Sequence, residues 1–367
     1  MRILHVVPTL GYGGVSKVVL NYYEKVNKKE YLFDFITHGK VEDFHAEIIT
    51  TGSKIYYLKT IRQIGIIKYF YQLKRVIESN NYDIVHIHIG HLTGVYAMMF
   101  RIIGHRHIIC HAHTTKCVNN KHSMFMPIFR KLSVLFSDNC IACGKKAGDF
   151  CFGNNKYVIM NNALDFKKFK DITDKQVHIK KQELGLENCD KIIGHVGLFS
   201  SIKNHEFIIN ILEELVKKED DIKLVLVGEG KLKKQIESLV YRKRLTDKVL
   251  FLGNRQDVYI LMKMFDVFIL PSIHEGLPVV GIEAQAAGTY CIFSQGIDSS
   301  VDLGIGIVTF LPIDQGINCW VDKISCILNN NNISTDMIYE KLIEKGYEIT
   351  ATAVELQHIY RSICISK

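Results

Sequence analysis

The stretch "VFILPSIHEGLPVVGIEAQAAG", residues 267–288, begins as a short β-branched and aromatic run, breaks at Pro271-Ser272, and resumes at Pro278 with apolar residues at helical spacing. Strand, loop and helix in that order are half of a βαβ unit. Two carboxylates flank the Gly-Leu-Pro corner, Glu275 in the loop and Glu283 in the helix. Pro278 suits a first-turn position, where its missing N–H costs nothing. The N–H groups from Gly276 and Leu277 to Val279 would then face the carboxyl edge of the strand, where open α/β sheets bind ligands. Eight helical steps would turn Glu283 roughly 80° from Glu275, so the acids would meet different parts of an extended ligand, such as a sugar and a ribose. A glycosidase pair must flank a single bond, which this spacing disfavours. A helix with an ordinary Glu at each place is the remaining alternative.

The same alternation fills the chain. Candidate strands in the first half are "RILHVVP", "YLFDFITH", "KIYYL", "DIVHIH", "HIICHAH", "NCIACG" and "YVIMNN". A polar stretch follows, and the pattern restarts with "IIGHVG", "KLVLVGEG", "VLFLGN", "VFILPS", "YCIFS" and "GIVTF". Two open α/β domains are expected, 1–170 and 171–347, with a last helix, about 348–367, returning to the first. The tract "NNNNIS", 329–334, reads as a polar loop.

With 367 residues, 47% of them apolar, the chain can bury a large core. Lys plus Arg outnumber Asp plus Glu by 46 to 38, a formal charge of +8, which favours a phosphate-bearing ligand or an anionic membrane surface, or simply solubility. No nucleic-acid partner is expected. Ten scattered cysteines and a Met1 that leads directly into a strand fit a reducing cytoplasm. Cys140 and Cys143 could be half of a zinc site or a redox pair, yet no second pair lies nearby, so packing is expected. The longest apolar run, "TGVYAMMFRII", is too short to span a bilayer.

"PTLGYGGVSKVVLNYY" follows the first strand with Gly11, Gly13 and Gly14 in a turn that starts a helix. Such a turn lets backbone approach an anion, though a purely structural turn has the same composition. The dinucleotide fingerprint needs a third glycine where Lys17 stands and an acid where the second strand ends in His38, so NAD is disfavoured. Histidines crowd residues 86–122. The pairs His86/His88 and His111/His113 each share a strand face, but no carboxylate or thiolate completes a ligand set, and no metal is expected. His113, ending its strand, is best placed to face a ligand; most of the others read as half-buried structural residues.

In the second half "GHVGLFSSIKNHEFII" ends a strand at Gly197 and puts Lys203 at a helix entrance, an arrangement suited to a diphosphate. Further turns follow at Gly228–Gly230 in "LVGEG" and at Gly253–Arg255 in "FLGNRQDV". All three belong on one sheet edge.

"EGLPVVGIE", supported in order by "YDIVHIH", "HAHTT", "CIACGKKAGDFCFG", "NNALDFKKF", "HVGLFSSIKNHEFI", "LVGEG" and "FLGNRQDV", resembles the family-four retaining glycosyltransferases along essentially the whole chain. The resemblance is strongest to the branch that builds bacterial exopolysaccharide, capsule or O-antigen. It implies the α/β architecture called GT-B, two Rossmann-like parallel-sheet domains facing an interdomain cleft. It further implies that Glu275 holds donor-sugar hydroxyls, Glu283 the ribose, Lys203 the diphosphate, backbone at Gly253–Arg255 the base, and His113 the sugar and leaving-group region. Gly197, Gly228, Gly276 and Leu277 would add backbone contacts, and Gly13 and Gly14 would face the phosphates from the opposite domain. The expected reaction moves a hexose or N-acetylhexosamine from a UDP-type donor to a saccharide or polyprenyl-diphosphate-linked acceptor, without cofactor or metal. The site of action would be the cytoplasm, at or near the inner membrane face. One position departs from the family pattern Gly-Arg-x-x-x-x-Lys: Leu198 stands where the arginine is usual. That departure keeps a catalytically weak or inactive glycan-assembly partner as an alternative, with a UDP-sugar epimerase as a third.

For the acceptor side, "YFYQLKRVIE" and "FMPIFRKLSVLF" mix apolar and basic residues on expected helices, suited to an anionic lipid surface or to core packing.

Overall fold

The computed structural model describes residues 1–39, 45–115, 117, 120–329 and 337–365. The expected loop 329–334 lies outside these, Asn329 excepted, as does the side chain of His122.

Seven strands make the first sheet: β1 (Arg2–Val7), β2 (Leu32–Thr37), β3 (Ile55–Tyr57), β4 (Ile84–Ile87), β5 (Ile108–Ala112), β6 (Asn139–Ala142) and β7 (Val158–Ile159). Six make the second: β8 (Lys191–Val196), β9 (Ile222–Val227), β10 (Val249–Gly253), β11 (Val267–Leu270), β12 (Tyr290–Ser294) and β13 (Val308–Leu311). The orders are β3-β2-β1-β4-β5-β6-β7 and β10-β9-β8-β11-β12-β13. Every pairing is parallel. Parallel strands are covered on both faces and so read as unbroken apolar runs; Ile3, Leu4, Val6 and Val7 in β1 and all of β11 are fully buried.

In each sheet the direction of strand addition reverses once, between β1 and β4 and between β8 and β11. A crevice opens beyond the carboxyl ends at such a reversal.

The chain divides into Met1–Leu164 with Gly346–Lys367, and Asp165–Lys345. The first core packs Tyr69, Leu73, Phe100 and Phe152, and the second packs Phe199, Leu212 and Trp320. The indole N–H of buried Trp320 donates to the Pro312 carbonyl at 2.8 Å, so no polar atom of that ring is stranded. The terminal helix Ile349–Ile365 joins the first unit, where Tyr360 is fully buried and Arg361 bonds the Tyr31 hydroxyl at 2.7 Å.

Candidate active site

Three turns at the carboxyl edge of the second sheet are locked together through backbone. Gly197 N donates to Val227 O at 2.9 Å, Phe199 N to Glu229 O at 2.9 Å, and Gly228 N to Gly253 O at 2.7 Å. A Cβ on Gly228 would lie 2.2 Å from the Gly197 carbonyl oxygen, and φ there is +133°. Only glycine fits that crossing.

The reversal between β8 and β11 carries the two residues expected to grip a ligand. Lys203 closes the short turn Ser201–Lys203 before the helix His205–Leu215, and its Nζ lies 2.9 Å from both Oε1 and Oε2 of Glu275. The Ser272 hydroxyl donates to the same carboxylate. Backbone fixes the pair from both sides: Ile273 N donates to Ile202 O at 2.8 Å, and Glu275 N to Gly296 O at 3.1 Å. Both side chains remain slightly solvent-accessible, 16% and 17% exposed, so the ammonium can be transferred to an incoming anion.

The helix beyond the corner starts later than the sequence suggests. It spans Val279–Ala286 with Pro278 as its extended N-cap, so Gly276 and Leu277 lie in the loop and contribute no helical N–H. Glu275 forms an isolated parallel bridge with Ile297, and helical rotation therefore does not set its angle to Glu283. Pro278, without an N–H, takes the half-in capping position instead of the first turn. Glu283 is buried within this helix. Sequence reasoning missed Gln285, whose amide nitrogen donates to the carbonyls of Gly281 (2.9 Å) and Val301 (2.8 Å) and whose oxygen accepts from Leu303 N (2.8 Å). An amide two residues after Glu283, in a helix whose other residues are apolar, was the available signal.

Arg255, after β10, spends its guanidinium on Asp257 through Nε (2.8 Å) and Nη2 (2.6 Å), and Lys180 adds a 2.9 Å contact. Burial opposes ionisation of Asp257, but these bonds outweigh it and hold the carboxyl down at about 2. The fork braces the turn, leaving backbone at Gly253–Arg255 as the part that can meet a ligand. Leu198 is 62% exposed beside this edge.

In the first unit Gly13 caps the helix Gly14–Lys25 with ordinary extended torsions, and a Cβ on Gly14 would meet nothing within 4 Å. Neither glycine is demanded by local backbone, so the turn leaves room for close approach. Five imidazoles lie on one face of this sheet: His5 on β1, His86 with His88 at the end of β4, and His111 with His113 at the end of β5. His5 Nδ1 and His88 Nε2 are 3.1 Å apart, His88 Nδ1 and His113 Nε2 3.0 Å, and His86 Nε2 and His111 Nδ1 3.2 Å. Burial pushes His5 down to about 3 and His113 to about 4, the latter against a bond to the Asn162 amide oxygen. Burial, then the neighbouring imidazoles, drives His86, His88 and His111 well below the usual range. His5, His86 and His88, and again His88, His111 and His113, bring ring nitrogens within 4.8 Å, so either set could hold a metal ion. The sequence pointed to the i, i+2 pairs; it did not reveal His5 or Tyr360, which reach them from β1 and the terminal helix. Cys140 and Cys143 are free thiols packed in the core, with burial pushing Cys143 up to about 12.

Two domains, each an open parallel sheet with glycine turns at its carboxyl edge or first strand end, make the GT-B architecture. Residues 176–343 match the family described as Glycosyl transferases group 1, and residues 12–151 match Glycosyltransferase Family 4. The glycosyltransferase EpsF of Bacillus subtilis (strain 168) is 32% identical over 98% of this chain and 96% of its own. An Escherichia coli UDP-Gal:alpha-D-GlcNAc-diphosphoundecaprenol alpha-1,3-galactosyltransferase is 24% identical over 100% of this chain and 98% of its own. Anabaena Alr3699/HepE, solved with UDP and glucose, superposes with a TM-score of 0.78 at 16% identity, covering 99% of this chain and 100% of that one. The chain belongs to glycosyltransferase family 4, in the group whose members include exopolysaccharide and capsule proteins.

Proposed function

We propose that the protein transfers a hexose or N-acetylhexosamine, with retention, from a UDP-sugar to a saccharide or polyprenyl-diphosphate-linked saccharide in surface-polysaccharide synthesis. The observation that carries this reading is the Lys203–Glu275 pair at the β8/β11 reversal. When a donor enters, Lys203 takes the diphosphate, and Glu275, released from the ammonium, accepts from sugar hydroxyls. Gly197, Gly228 and Gly253–Arg255 offer backbone to the diphosphate and base, and the Glu283 carboxylate accepts from the ribose hydroxyls. His113 meets the sugar or leaving group. The bond from the anomeric carbon to the phosphate oxygen breaks, the acceptor oxygen bonds that carbon on the same face, and the acceptor proton passes to the departing diphosphate. Fixed N–H groups and an ammonium can supply the charge stabilisation that Mg²⁺ gives elsewhere, so the proposed step needs no metal. The E. coli relative is named for a UDP-sugar donor and a diphosphoundecaprenol-linked acceptor, which supports both choices.

Exposed Leu198 favours a second reading, a partner that binds nucleotide without transferring sugar. A missing transition-state charge partner costs about 3 kcal/mol. The test is a panel of UDP- and GDP-sugars scored by thermal shift, then by transfer to lipid-linked and short-oligosaccharide acceptors with the product anomer assigned and chelator present. Retained anomeric configuration supports the first reading. Intact donor with the natural protein, under conditions where Leu198→Arg transfers, supports the second; donor conversion without acceptor indicates an epimerase.

A further inference from the structure

The five histidines of the first sheet and Tyr360 form a single hydrogen-bonded file. From Asn162 Oδ1 it runs to His113 Nδ1 (3.3 Å), and from His113 Nε2 to His88 Nδ1 (3.0 Å). His88 Nε2 meets His5 Nδ1 (3.1 Å), and His5 Nε2 meets the Tyr360 hydroxyl (3.5 Å). That hydroxyl meets His86 Nδ1 (2.9 Å), and His86 Nε2 meets His111 Nδ1 (3.2 Å). There the file stops, for His111 Nε2 is buried without a hydrogen-bond partner among the described residues.

A neutral imidazole has one N–H and one lone pair, so a continuous file admits only two proton orders. If every Nε2 carries the proton, the last one, on His111, is a buried N–H with no acceptor, the rarer and costlier kind of orphan. If every Nδ1 carries it, only a lone pair is left over. The second order then fixes each link in turn: His111 donates to His86 and His86 to the Tyr360 oxygen. Tyr360 turns its own hydrogen to His5, His5 donates to His88, and His88 to His113. His113 is left with its proton on Nδ1, and the Asn162 amide oxygen accepts it.

We infer that this file holds His113 as the neutral Nδ1–H tautomer, so that what its ring offers a ligand is a hydrogen-bond donor and never a base. This rests on the proposed role of His113 at the sugar or leaving group. Its Nε2 lone pair is committed inward to His88, while its link to Asn162 is longer than any link between imidazoles in the file, and His113 alone of the five rings is only half-buried. An oxygen of a phosphate or sugar hydroxyl that replaces the Asn162 oxygen therefore receives a proton-bearing nitrogen. His88, His5 and Tyr360 are positioning residues, acting through His113. The order requires each of the five imidazoles to be neutral, giving one proton to the file and accepting one from it.

Imidazole ¹⁵N correlation spectra of the full-length protein at neutral pH, with and without UDP, test the file directly. The expected result is the neutral Nδ1–H pattern at all five rings, which an imidazole free in water disfavours, and its persistence at His113 with UDP. An Nε2–H or doubly protonated His113 overturns the inference, as does stoichiometric zinc or nickel in protein purified without a histidine tag, because the metal would take the lone pairs the file uses. In transfer assays, His113→Asn sets an amide N–H where Nδ1 stood and should keep kcat within about tenfold of the natural protein. His113→Gln sets it where Nε2 stood and should lose about a hundredfold or more in kcat with little change in KM. Equal loss in both, with the expected spectrum, overturns the donor role while leaving the file. No transfer by the natural protein with any donor overturns the transferase reading, and the spectra judge the file separately.

Discussion

Lys203 Nζ sits 2.9 Å from each carboxylate oxygen of Glu275, although the two are 72 residues apart and follow different strands. Each group of the pair is satisfied by the other, and under the proposed function an incoming donor separates them. Lys203→Met should lower the affinity for UDP and reduce transfer by about 10²–10³-fold, the usual cost of one donor to a developing oxyanion. Glu275→Gln should leave UDP binding nearly intact and remove transfer, because the sugar contact is lost while the ammonium is freed. Calorimetric titration with UDP and a transfer assay decide this; a Lys203→Met variant that binds UDP as the natural protein does would defeat the assignment.

Two glycines separate fold from function. Gly14→Ala meets no atom within 4 Å and should raise stability by about 0.4–1 kcal/mol, through a less free unfolded chain, while raising KM for the donor if phosphate approaches that turn. Gly228→Ala should destabilise by about 1–3 kcal/mol from backbone strain alone, with more from overlap with the Gly197 carbonyl. Melting temperatures beside donor KM values test both. An unchanged KM in Gly14→Ala would remove that turn from the ligand site.

The strands were legible because each, buried on both faces of a parallel sheet, is an unbroken apolar run ended by a turn residue, as "VFILPS" shows. Lys203 and Glu275 were legible for the same reason, since strand ends locate them. The start of the helix after Glu275 was not: Pro278 fits either side of a helix boundary, and only the backbone bonds of Ile273 and Glu275 decide that the loop stays extended. Nor was the histidine file. Its members come from three strands and a helix 355 positions from His5, and no local period records that meeting.

Two surface helices of the first unit carry exposed apolar side chains among basic ones. Ile67 and Tyr71 are 70% and 61% exposed on the helix Ile66–Glu78, with Lys68, Lys74 and Arg75 on the same helix. Ile128 and Leu135 are exposed on Met126–Phe136, beside Lys131. Core packing does not explain these four. The protein should co-sediment with vesicles containing anionic lipid at low salt and release as salt rises, each basic residue near the surface contributing about 1 kcal/mol. Ile67→Glu with Leu135→Glu should abolish the binding with little effect on melting temperature. No helix among the described residues is long and apolar enough to cross a membrane.

Acid should unfold this protein through its imidazoles before its carboxylates. A histidine whose folded pKa lies below its unfolded value of about 6.5 gains its proton only on unfolding, so between those two values the unfolded chain holds more protons and stability rises with pH. Burial sets His5 at about 3 and His113, His105 and His205 at about 4, with His86, His88, His111 and His195 also well below the usual range. Each contributes stability that is full above about pH 6.5 and falls by about 1.4 kcal/mol per unit toward its folded pKa. Asp257, held at about 2, adds a smaller loss only below its unfolded value, near 4. Scanning calorimetry from pH 7.5 to 4.5 should show the melting temperature dropping steeply from about pH 6. A profile flat to pH 4.5 would mean these rings take up protons while folded, against the lowering that burial imposes on them.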